Sequence, residues 1–163
     1  MIAAMYAALT VFTWQFSSLA IQLRLAEAMC VLPALTPAAI PGLTVGCALA
    51  NLFAGNIPDA VFGTLATLLA AVATRLMAKL FKGRLYGLYP LPAVIFNAAI
   101  VPFILYYGYG FTTFGNLDSA AAVIMTYALS VFIGQSLVCF GVGIPLYLGL
   151  KKAGKSIFER KKF

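Results

Sequence analysis

Seven residues stand out as able to hold a polar ligand: Gln15, Arg24, Glu27, Asn51, Asp59, Asn97 and Gln135. Each lies inside or at the rim of an apolar stretch, where an ionisable or amide group is costly and faces a partner or a cavity. The amides of Asn97, in mid-stretch, and Gln135, deep in the last stretch, each have about four hydrogen-bonding sites that lipid cannot satisfy. Arg24 and Glu27 are one helical turn apart, so they can pair with each other as readily as with a ligand. Asp59 follows Pro58 at a helix start, and its expected role is to cap the exposed amides there. Aromatic surface comes from Trp14, beside Gln15, and from Tyr106, Tyr107, Tyr109, Phe111 and Phe114. Such rings form an interfacial belt, or they stack on a flat ligand for about 1–3 kcal/mol each. The chemistry on offer is binding. Aromatic walls, amides and one carboxylate would suit a planar, guanine-like base.

Catalysis is not on offer. The chain has no histidine, the commonest general base and metal ligand. Cys30, Cys47 and Cys139 are odd in number, far apart and set in apolar runs, so they read as small buried hydrophobes. The four acids are Glu27, Asp59, Asp118 and Glu159, and no two share a helix face at metal-binding spacing. No glycine-rich phosphate loop precedes a Lys–Ser/Thr pair. No catalytic residue, metal site or cofactor is expected.

The elements that must position these groups are set by lipid. Of 163 residues, 63% are hydrophobic and 9% charged, with a mean hydropathy of +1.00. A soluble domain carries about 25% charge, so this chain is read as an all-α integral membrane protein. Apolar segments fall near 2–20, 24–36, 38–54, 59–80, 89–109 and 119–149, separated by proline- and glycine-rich breaks. Six transmembrane helices are expected, the second and third short against the roughly 20 residues that a span needs. That pair is either two crossings or one crossing with a re-entrant piece. The whole chain, 1–163, is expected to be one membrane-embedded domain with a basic tail from about 151.

Ten of the eleven basic residues fall in two clusters. Arg75, Lys79, Lys82 and Arg84 end the fourth segment, and Lys151, Lys152, Lys155, Arg160, Lys161 and Lys162 form the tail. Two spans separate them, so both lie on one side, which the positive-inside rule makes cytoplasmic. Six spans then place both termini inside, with Arg24 and three of the acids towards the outer surface. The tail is a topology signal and needs no nucleic acid to explain it. Small residues also recur every fourth position, at Ala3 and Ala7, Ala4 and Ala8, and Gly42, Gly46 and Ala50. Such strips let backbones approach closely. The glycine strip is expected to pack internally; the alanines of the first helix could equally meet another protein.

Several stretches resemble one family. They are Ile21-Gln-Leu-Arg-Leu-Ala-Glu-Ala-Met-Cys-Val-Leu-Pro33, Pro37-Ala-Ala-Ile-Pro-Gly-Leu-Thr-Val-Gly-Cys-Ala-Leu-Ala-Asn-Leu-Phe53, and Asp59 followed by Val61-Phe-Gly-Thr-Leu-Ala-Thr-Leu-Leu-Ala-Ala71. Pro90-Leu-Pro-Ala-Val-Ile-Phe-Asn-Ala98 and Val138-Cys-Phe-Gly-Val-Gly-Ile-Pro-Leu146 also fit. Together they are similar to the QueT family of queuosine-precursor transporters over nearly the whole chain. The resemblance implies a six-helix substrate-binding S-component of an energy-coupling-factor transporter in the bacterial plasma membrane. Its partners would be one transmembrane T-component and two ATPases, which hydrolyse ATP in its place. Its cargo would be a 7-deazaguanine base captured on the outer side, and its docking face would include Ala4 and Ala8, with Ala3 and Ala7 beside them. The family often has an acid where this chain has Gln135; an amide there leaves the nitrile, aminomethyl and queuine forms all open.

Within that resemblance Glu27 takes the central part. A guanine-like edge offers two adjacent N–H donors, and a carboxylate accepts both. Arg24 would hold it ionised and oriented. The rival readings are an S-component for another flat vitamin, such as riboflavin or thiamine, and an ion-coupled nucleobase carrier acting alone.

Overall fold

The computed structural model describes residues 1–13, 24–82, 84–113 and 119–160, and among these every regular element is helical. Helix α1 is Ile2–Phe12, a 3-10 helix covers Leu25–Ala34, and α2 is Ala39–Phe53. A π-turn, Asp59–Gly63, opens into α3, Thr64–Phe81. Helix α4, Leu91–Phe103, is prolonged by a second π-turn, Ile104–Gly108. The third π-turn, Cys139–Gly143, joins α5, Ala120–Val138, to α6, Ile144–Arg160. Each expected apolar segment therefore contains a helix. Three are long and apolar enough to cross a membrane: Asp59–Phe81, Tyr86–Gly108 and Ala120–Gly154. Ile2–Phe12, Leu25–Ala34 and Ala39–Phe53 are shorter.

The packing suits lipid outside and polarity within. The buried face of α3 is Ala66, Thr67, Ala70, Ala71 and Thr74, while Leu65, Leu69, Leu76 and Leu80 are exposed. Lipid tails are as apolar as leucine, so nothing drives leucines inward; small residues and hydrogen bonds hold the helices together instead. Thr74 donates to the Tyr89 carbonyl at 3.1 Å.

The short second segment is overwound. From Ala26 to Pro33 it is buried throughout. A 3-10 helix rises about 2.0 Å per residue, so these ten residues reach roughly 20 Å where an α-helix would reach about 15 Å. Its start lies beside Asp59, through Arg24, and its end lies beside Arg75, whose guanidinium donates to the Pro33 and Ala34 carbonyls at 3.3 Å. It therefore runs along α3, buried inside the helix packing.

The glycine strip packs internally. A Cβ on Gly46 would stand 2.8 Å from the Ala3 carbonyl oxygen, so only glycine lets α1 and α2 touch there. Ala3 is thus used inside the molecule and Ala7 is partly buried, whereas Ala4 and Ala8 are exposed. At the far end Tyr86 stacks on Tyr147 at 6.2 Å, and Lys151 sits 5.7 Å above the same ring. This brings the basic end of α3 and the basic stretch of α6 together. Helix α6 continues to Arg160, so what was expected as a tail from 151 begins as helix.

Candidate functional site

Glu27 lies in the first turn of the 3-10 helix and is 1% exposed. Tyr6, from the middle of α1, donates its hydroxyl to Oε1 at 2.7 Å. Cys30, one 3-10 turn on, donates its thiol to Oε2 at 2.9 Å. The Cys139 thiol lies 3.6 Å from the Glu27 carbonyl and 3.5 Å from Oε1 of Gln135. Two parts of the fold, α1 and the 3-10 helix, thus meet at one carboxylate, and the α5–α6 junction reaches the same residue's backbone carbonyl. A carboxylate has about four acceptor sites, and these two side-chain donors fill two.

Arg24 does not pair with Glu27. Its backbone is extended (φ −96°, ψ 93°), so it stands ahead of the helix, and the one-turn spacing never places the two side chains together. Its guanidinium instead reaches Asp59 Oδ2 at 2.8 Å. Tyr109 donates to the same oxygen at 3.2 Å. Asp59 makes no side-chain cap and is an ion-pair residue, correcting the expected role; its Oδ1 is buried and without a hydrogen-bond partner among the described residues.

Between these two acids runs a set of weaker polar contacts. Asn51 donates to the Asp59 carbonyl at 3.2 Å and to the Cys47 sulfur at 3.4 Å, and Thr67 also lies 3.4 Å from that sulfur. Gln135 is buried on α5. Asn97 is 1% exposed, and neither end of its amide has a hydrogen-bond partner among the described residues. It lies one turn beyond Ala93, which with Val94 packs against Cys30 and Cys139. Contacts thus link Arg24, Asn51 and Asp59, and link Glu27 to Gln135 through Cys139, while Asn97 is buried on α4. Trp14 and Gln15 lie outside the described residues. Tyr106 stands apart, half-buried and edge-on to the exposed Tyr107 at 4.9 Å, as a belt residue does.

Tyr6, Cys30, Cys139 and Tyr109 belong to this site, and the sequence reading did not single them out as polar partners. The thiols were read as inert hydrophobes; they are buried, but two of them hold Glu27. The signal available was Tyr6 itself, a hydroxyl set among the small residues of a helix that must pack closely.

A groove of about 770 Å³ lies elsewhere, between the π-turns that begin α3 and end α4. Its walls, including Val61, Phe62, Phe103 and Ile104, are apolar. It offers a polar base almost no hydrogen bonds, so size does not make it the ligand site.

The family model of the QueT transporter matches residues 1–152. The chain belongs to the QueT transporter family. No curated protein and no solved structure matches it. QueT membership makes this a transporter protein, in keeping with the three long apolar helices and a polar interior sealed from lipid.

Proposed function

We propose that this QueT protein is the substrate-binding S-component of an energy-coupling-factor importer for a 7-deazaguanine precursor of queuosine. It crosses the plasma membrane six times with both termini in the cytoplasm. It binds the base from the outer side, leaves it chemically unchanged, and delivers it by docking on a T-component that carries two ATPases. One observation carries the reading: a buried carboxylate, Glu27, with acceptor capacity left over and an amide, Asn97, without partners in the same interior. The guanine-type edge supplies the two adjacent N–H donors that such a carboxylate accepts. The exposed Ala4 and Ala8 give α1 a flat outer face for the T-component.

Titration of the purified protein with 7-deazaguanine and with adenine tests the substrate class. Adenine inverts the donor–acceptor pattern, and buried polar groups left unpaired discriminate by up to about 10⁴-fold. Comparable affinities would sink the assignment. For docking, Ala8→Trp is expected to abolish uptake in cells while binding by the isolated protein persists; joint loss would show that Ala8 packs internally.

A further inference from the structure

Asn97 carries a demand that the protein leaves unmet. Its amide is 1% exposed, with Nδ2 and Oδ1 both unpartnered among the described residues. A buried donor and acceptor with no partner are costly, so the fold alone gives no reason for an amide here. The remedy is a ligand that places an acceptor and a donor side by side.

We infer that Asn97 is a specificity-determining residue whose buried amide grips an acceptor and an N–H donor that stand side by side on the ligand. This rests on the reading of a 7-deazaguanine ligand with its double-donor edge at Glu27. On such a base the ring carbonyl neighbours the substituent at position 7. Asn97 Nδ2 donates to that carbonyl, and Oδ1 accepts from a protonated aminomethyl group. A nitrile at position 7 has no N–H, so Oδ1 stays unpaired.

The test titrates wild type and Asn97→Leu with 7-aminomethyl- and 7-cyano-7-deazaguanine, and records the melting temperature of both proteins without ligand. Wild type is expected to bind the amine about tenfold or more tightly than the nitrile, the scale of one hydrogen bond to a charged group. In Asn97→Leu that preference should collapse, while the melting temperature holds or rises because two unpaired groups have been removed. Equal binding of both bases by wild type overturns the inference and leaves the substrate class standing. A lowered melting temperature with the preference intact also overturns it, returning Asn97 to a structural role. Failure of wild type to bind either base overturns the substrate reading and this inference with it.

Discussion

Glu27 and Asp59 are two buried carboxylates treated in opposite ways. Asp59 has a guanidinium at 2.8 Å and a phenol on the same oxygen, so its charge is settled within the protein. Glu27 has only a hydroxyl and a thiol. Moving a charge out of water costs several kcal/mol, which a close partner must offset. Asp59 therefore reads as a structural tie between the start of the 3-10 helix, the start of α3 and the stretch after α4. Glu27 reads as a group kept available. Local geometry, not residue type, separates a brace from a binding group.

Breaking the tie should have the largest effect. Asp59→Asn leaves Arg24 without its counter-charge, and loss of one partner of a buried pair costs about 3–5 kcal/mol. Thermal unfolding in detergent should fall markedly, with partial recovery in the Arg24→Gln, Asp59→Asn double variant. Glu27→Gln should invert that pattern. The fold should hold, because an amide is easier to bury than an acid, while affinity for 7-deazaguanine falls by about 2–5 kcal/mol, or roughly 30- to several-thousand-fold. Calorimetric titration that finds unchanged affinity in the folded variant would erase the contrast between the two acids. The smallest change is Tyr6→Phe, which removes one donor to a charged group, worth about 1.5–3 kcal/mol. Its melting temperature without ligand should drop modestly, and a value equal to wild type would show that Tyr6 does not hold the carboxylate.

Much of the architecture is legible in the sequence because lipid imposes it. Apolar runs bounded by Pro37, Gly55 and Pro90 can only be helices in a bilayer, and the six helical stretches fall where those runs are. The polar residues of the interior were legible too, since Asn51, Asn97 and Gln135 have no other business in apolar runs. Their partners were not. Arg24 at a spacing of three from Glu27 looks like a pair only if both are helical, and the extended backbone at Arg24 removes that premise. The contacts of Arg24 with Asp59 and of Tyr6 with Glu27 span 35 and 21 positions. They are products of tertiary packing, which no local spacing encodes. The overwound second segment also escaped the sequence, because length arithmetic assumed an α-helical rise.

Three prolines sit beside the three π-turns: Pro58 just before Asp59–Gly63, Pro102 just before Ile104–Gly108, and Pro145 just after Cys139–Gly143. A π-turn carries i→i+5 bonds in place of the α-helical ladder, as Tyr109 N–H to the Ile104 carbonyl at 3.1 Å shows. In effect each π-turn is one residue spliced into a helix, and one residue is about 100° of rotation. Upstream of Cys139 the long last helix directs Gln135 at the polar interior; downstream the same helix directs Tyr147 at the aromatic cluster of the basic end. Deleting Gly141 would make the rod regular and swing Tyr147, Lys151 and all that follows around the helix axis. The splice is what lets a single rod face the polar interior at one level and the aromatic, basic end at the other.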